Sequence, residues 1–172
     1  MGGDRVRWDI EDGDELSVAG VVRADGPVLY GPLTGRPCVL HTTRVRVWSR
    51  LDFAADLIAE FTAVTRVAFV LESAQGALPI DAEHARVSGT TFSLLPPHGY
   101  IHALLRERGL ERYAGSSYAD HTVVAPGDRV TIRGITMRTR VVGAGEQGYR
   151  DEATQLLLVG YPQRPLDVTP LR

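Results

Sequence analysis

Lysine and asparagine are both missing from this 172-residue chain. Because lysine is missing, every strongly basic side chain is an arginine. The 19 arginines are outnumbered by 21 acidic residues, which gives a formal net charge of −2 at pH 7. A chain without a basic excess has no global field that would attract nucleic acid or anionic lipid. The arginine-only composition indicates a GC-rich bacterial genome.

Cysteine and long apolar runs are equally scarce. The single thiol, Cys38, excludes an internal disulfide and every metal site that needs two or more thiolates. No run of about 18 apolar residues occurs, so no segment is expected to span a membrane. The first residues, MGGDRVRWDIEDGDEL, are polar and acidic and do not resemble a secretory signal. We therefore expect a cytoplasmic protein.

What is present is typical of one folded domain. Hydrophobic residues make up 44% and charged residues 23% of the chain, and its length is sufficient to bury a core. We expect an acidic N-terminal arm at residues 1–15, a single domain at 16–161 and a Pro-rich tail at 162–172.

Alternating apolar and polar residues, interrupted by Gly and Pro, predict a chain rich in short strands. The predicted strands are Leu16–Ala24, Cys38–Trp48, Thr65–Ser73, Ala77–Val87, a short piece in GTTFSLL, Val130–Gly134 and Thr154–Tyr161. Helical spacing replaces the alternation in two segments, Asp52–Ala63 and His98–Tyr113. The pattern favours a mainly β fold with two inserted helices, closed as an OB-like small β-barrel because closure removes exposed strand edges.

Three segments together resemble the GIDE domain, also named BAM for "beside a membrane". Pro32–Val39, with the sequence PLTGRPCV, is similar to the SPLSGRPCV loop of that family. Phe69–Val87 resembles its strand–turn–strand hairpin, and His121–Ile135, which contains APGD, resembles its closing turn and strand. The resemblance covers most of residues 16–135.

In eukaryotes the GIDE domain belongs to mitochondrial membrane-anchored ubiquitin ligases. It lies there between two transmembrane helices, before a RING finger, and serves as a partner-binding module. This chain has neither the helices nor the Cys/His array that a RING needs to hold zinc. The resemblance therefore implies a non-catalytic, macromolecule-binding domain without cofactor or metal, whose partner is expected to be another protein.

The expected binding surface is the loop Gly31–Pro37 with the adjoining face of the strand that follows it. The predicted partner-binding residues are Leu33, Arg36, Arg44, Arg46 and Trp48. Loops at the mouth of a barrel are free to vary for recognition. One alternative is a protein that binds single-stranded nucleic acid on the same barrel, because Arg44, Arg46 and Trp48 combine basic and aromatic groups on one strand face.

A second alternative is an enzyme of unrecognised class that uses Cys38 or the pair His98 and His102. His41 follows Cys38 by three residues, and in a strand this spacing places two side chains on opposite faces. Cys38 is therefore interpreted as a buried residue at the start of a strand. His98 and His102 have i, i+4 spacing, but the metalloprotease pattern H-E-x-x-H is absent.

Overall fold

The computed structural model describes residues 10–51, 54–88, 92–94, 99–140 and 154–171. The strands, in chain order, are β1 (Glu15–Ala24), β2 (Leu29–Tyr30), β3 (Pro37–Cys38), β4 (Leu40–Leu51), β5 (Ala54–Arg66), β6 (Phe69–Ser73), β7 (Gly76–Ile80), β8 (Ala85–Val87), β9 (Phe92–Leu94), β10 (Ser117–Val124), β11 (Arg129–Arg140), β12 (Thr154–Val159) and β13 (Leu166–Pro170). The helices are α1 (Gly99–Glu107) and a 3-10 helix (Glu111–Ser116).

Five strands form a closed barrel in the order β1-β6-β7-β12-β11, and pairing between β1 and β11 closes it. The predicted mainly β fold with two helices and an OB-like barrel is confirmed, although both helices lie between residues 99 and 116. Strand β1 bends to reach both neighbours, pairing with β11 up to Val21 and with β6 from Val21 onward. A Cβ atom on Gly20 would lie 2.5 Å from the carbonyl oxygen of Glu72, so this close approach requires glycine.

Strand β11 changes partner along one of its edges. It pairs with β13 from Val130 to Arg133 and with β12 from Ile135 to Arg140. Strand β8 continues the sheet beyond β13 in parallel register. The wall of the barrel therefore forks at Gly134, the residue between the two registers.

The Pro-rich tail predicted at residues 162–172 belongs to this wall. Leu166 and Val168 of β13 are completely buried and lie in the barrel core. Their alternation with Asp167 and Thr169 is a strand pattern, but it is short and lies between prolines. At the other end of the chain, the amide of Gly13 donates to the carbonyl oxygen of Thr136, so the described part of the acidic arm is also bound to β11.

A second sheet, in the order β5-β4-β10-β9, extends from the barrel and is termed the outer sheet. The residues at its inner end, Val39, Leu40 and Val124, are part of the barrel core. Its outer part has a separate core, in which α1 packs on Val45 and Val47. Neither helix in the described part of the chain is long and apolar enough to cross a membrane.

The helix predicted at Asp52–Ala63 is wrong, because the described residues of this segment belong to β5. Val47 pairs with Ala59 and Trp48 pairs with Leu57, so Ile58 is an extra residue in a β-bulge. The bulge interrupts the two-residue alternation and puts apolar residues at a spacing that imitates a helix. Asp52 and Phe53 lie outside the described residues. The other predicted helical stretch, 98–113, contains α1 and the first half of the 3-10 helix.

Replacing Leu166 by alanine should lower the free energy of unfolding by about 2–5 kcal/mol, because it leaves a cavity at a completely buried site. Leu171→Ala is the matched control, since that side chain is 43% exposed, and its effect should stay within about 0.5 kcal/mol. Urea unfolding followed by circular dichroism measures both. Equal effects of the two substitutions would show that β13 is not part of the folded wall.

Candidate functional site

The side chains of β4 divide the outer sheet into two faces. One set of alternate residues is buried: His41, Thr43, Val45 and Val47. The residues between them are more accessible: Thr42, Arg44, Arg46 and Trp48. The first set lies on what we term the helix face and the second on the open face. The predicted common face of Arg44, Arg46 and Trp48 is confirmed.

The helix face is covered by α1. Ile101, Leu104 and Leu105, which form the apolar stripe of α1, are buried against it. The guanidinium of Arg108 lies 4.0 Å from the centre of the Phe61 ring, at the margin of this cluster. Leu33 also packs on this cluster. The helix face is therefore a second core and not a free surface.

The open face combines paired charges with exposed apolar groups. Arg46 forms an ion pair with Asp120 of β10, and Nε of Arg44 lies 3.7 Å from Oε1 of Glu60 of β5. On the strands beside β4, Tyr118 pairs with Arg46 and is 49% exposed, and Leu57 pairs with Trp48 and is 46% exposed. Each arginine thus has an acidic partner on a neighbouring strand.

The loop Gly31–Pro37 joins β2 to β3 in a tight turn. The amides of Thr34 and Gly35 donate to the carbonyl oxygen of Gly31 at 3.1 and 2.7 Å, and Gly35 has a φ of 64°. A Cβ atom on Gly31 would lie 3.6 Å from Nε2 of His121, so the loop is next to the helix face. Arg36 is exposed in this turn.

The five predicted binding residues are therefore only partly brought together. Arg44, Arg46 and Trp48 share the open face, whereas Leu33 packs on the opposite side of the sheet. The register of β4 causes this separation, because the loop runs into the strand on the side that α1 covers. Leu33 therefore does not share a surface with Arg44 and Arg46.

Cys38 is completely buried, as predicted, but it is the last residue of β3 and not the first residue of the strand that follows. Burial raises the pKa of its thiol above the ordinary value of 9.0. The thiolate, which is the reactive form of cysteine, is therefore disfavoured at this position.

Two histidines lie side by side on the helix face, and the sequence alone did not predict this pair. The side chains of His41 and His121 are 4% and 1% exposed, and their ring centres lie 5.7 Å apart. Oγ1 of Thr43 forms a hydrogen bond of 3.1 Å with Nδ1 of His121. Thr43 also forms a hydrogen bond with the hydroxyl of Tyr100, a residue of α1. Nδ1 of His41 and Nε2 of His121 find no hydrogen-bond partner in the described part of the chain. The alternation of β4 places His41 among buried residues, but only the pairing of β4 with β10 brings His121 beside it.

Burial lowers the pKa of both imidazoles from the ordinary 6.5, and the neighbouring His121 lowers that of His41 further. A backbone hydrogen bond with Thr42 partly offsets the effect at His121. Both rings are therefore neutral at physiological pH. Among the residues that the structure describes, no group of three or more His, Cys, Asp or Glu side chains could hold a metal ion. His102 lies on α1, whereas His98 is outside the described residues.

No protein-family model matches this chain, and neither a curated protein nor a solved structure matches it.

The buried imidazoles make stability depend on pH. Between the lowered folded-state pKa values and 6.5, the unfolded chain binds more protons than the folded chain. The contribution of these two histidines to the free energy of unfolding should therefore be fully present above about pH 6.5, and it should fall as the pH drops below that value. Urea unfolding at several pH values, together with an NMR titration of the histidine rings, measures this. His41→Gln should reduce the slope, whereas the control His102→Gln should leave it unchanged. A ring of His41 or His121 that titrates at or above 6.5 contradicts the prediction.

The thiol of Cys38 should react with a thiol reagent far more slowly in the native protein than in denaturant, because it is completely buried. Cys38→Ala with Thr34→Cys supplies the control, a single thiol in the exposed loop, which should react at once without denaturant. Rapid modification of native Cys38 would restore a chemical role for this residue.

Proposed function

We propose that this chain is a non-catalytic module that binds another protein through the open face of the outer sheet. The observation that carries the proposal is the composition of that face. Tyr118 and Leu57 are exposed beside Trp48 and two arginines that are held by acidic partners. Tyrosine, tryptophan and arginine are enriched at protein interfaces and dominate their binding energy.

The resemblance to the GIDE domain supports the same proposal. The hairpin piece of that resemblance coincides with β6 and β7, and the APGD piece coincides with the turn between β10 and β11. In this turn the amide of Ala125 donates to Oδ2 of Asp128 at 2.8 Å, and Gly127 has a φ of 93°. We propose a cytoplasmic location for this partner-binding module, as expected from the sequence.

The edge of the outer sheet indicates what the partner presents. Among the described strands, β5 has β4 as its single neighbour, so its other edge offers free backbone N–H and C=O groups. Leu57 and Ile58 are exposed on this strand near the bulge. An extended segment of a partner can add to such an edge and place an apolar side chain against Leu57, while Tyr118, two strands farther into the sheet, contacts the part of the partner that covers the open face.

Nucleic acid is disfavoured by the charge pairing on the open face. A protein that binds single strands tracks the phosphate backbone with free cationic groups. Here Arg44 and Arg46 are paired with Glu60 and Asp120, so the four charges cancel. An enzyme that uses Cys38 is disfavoured by the burial of that thiol.

The double variant Leu57→Ala and Tyr118→Ala should weaken partner binding by about tenfold or more, because both groups are placed as apolar contacts of the partner. Affinity purification with the full chain identifies retained proteins, and calorimetry with a purified partner then measures the affinity. Tyr161→Ala is the matched control, since that side chain is 45% exposed and lies outside the outer sheet.

A partner lost from the double variant and kept by the control supports the proposal. Equal retention by all forms overturns the open face as the binding surface. Saturable binding of a labelled single-stranded oligonucleotide that weakens steeply with salt would replace the proposal with the nucleic-acid alternative.

A further inference from the structure

A polar cavity of about 460 Å³ lies on the outside of the barrel wall, at the fork of β11. Gly134 lies in its lining, where the partner of β11 changes from β13 to β12. Five ionisable side chains surround it: Arg86, Arg133, Arg164, Glu15 and Asp167. Its volume is within the range of small-molecule sites.

Two of the three arginines are held in place by the two carboxylates. Arg86 donates from Nε and Nη2 to Asp167, at 3.0 and 2.7 Å, and Asp167 also accepts from Oγ of Ser88 at 2.6 Å. Arg133 donates from Nε to Oε1 of Glu15 at 2.5 Å. These contacts use only some of the five N–H groups that each guanidinium carries.

The charge of the third arginine is not balanced by either of the two carboxylates. Arg164, in the turn between β12 and β13, makes no ion pair with any residue that the structure describes. Its charge nevertheless reaches the cavity: the pKa of Glu15 is lowered chiefly by the Arg133 hydrogen bond, and the charge of Arg164 adds to this shift. Three guanidiniums and two carboxylates give the site a charge of +1.

We propose that this cavity binds the phosphate group of a small phosphate monoester. The guanidiniums line the same cavity from three elements, β8, β11 and the β12–β13 turn, and each has N–H groups beyond those used in the ion pairs. A phosphate monoester offers three terminal oxygens and close to two negative charges, which suits three donors and a positive excess. A carboxylate offers only two oxygens. The site lies on the barrel wall, and no strand of the open face contributes to its lining, so it is independent of the proposed protein-binding surface.

The test is an NMR titration of the full chain with inorganic phosphate, repeated with acetate at equal ionic strength. Phosphate should shift the Nε–Hε signals of Arg86 and Arg133 saturably, and acetate should bind more weakly. Arg164→Gln should weaken phosphate binding by about tenfold. Glu15→Gln should strengthen it, because that substitution frees Arg133 and raises the charge of the site.

Arg23→Gln is the control, because Arg23 is a similarly exposed arginine, ion-paired with Glu72 outside the cavity. Its phosphate affinity should stay within about twofold of the unsubstituted chain. Thermal unfolding of each variant shows whether the fold is kept. Equal weakening by Arg164→Gln and Arg23→Gln, equal affinity for acetate and phosphate, or no saturable shift in either the unsubstituted chain or Glu15→Gln would overturn the proposal.

Discussion

The burial of Val39, Leu40 and Val124 in the barrel core is the constraint on which the outer sheet depends. All three are completely buried: Leu40 and Val124 are the terminal residues of β4 and β10 at the inner end of the outer sheet, and Val39 directly precedes β4. Burying such side chains stabilises the fold by roughly 1.5–3 kcal/mol each. The barrel therefore fixes where β4 begins, and every side chain farther along that strand follows from its register.

That register gives the two faces of the outer sheet opposite electrostatic characters. On the helix face, His41 and His121 remain neutral because burial disfavours the charged form of the imidazole and lowers the pKa of both rings. On the open face, Glu60 and Asp120 balance the charges of the two arginines. One strand thus supplies a dry interior and a polar exterior from alternate residues.

Alternation and turn chemistry were sufficient to predict the barrel, the burial of Cys38 and the common face of Arg44, Arg46 and Trp48. They failed at β5 because the bulge at Ile58 interrupts the period on which the prediction rests. They failed for the histidine pair and the arginine cavity for another reason. Those groups meet only through pairing between strands far apart in the chain, such as Thr43 with His121, and local patterns carry no information on that pairing.

The order of strands in the barrel also determines when the barrel can form during synthesis. Strand β12, residues 154–159, lies between β7 and β11 in the closed ring. While the ribosome is still making the segment before it, β7 and β11 each lack a neighbour on that edge. Unpaired strand edges are sites of misassembly in nascent chains. The barrel therefore closes only after β12 has emerged from the ribosome, although every other strand of the ring is made before it.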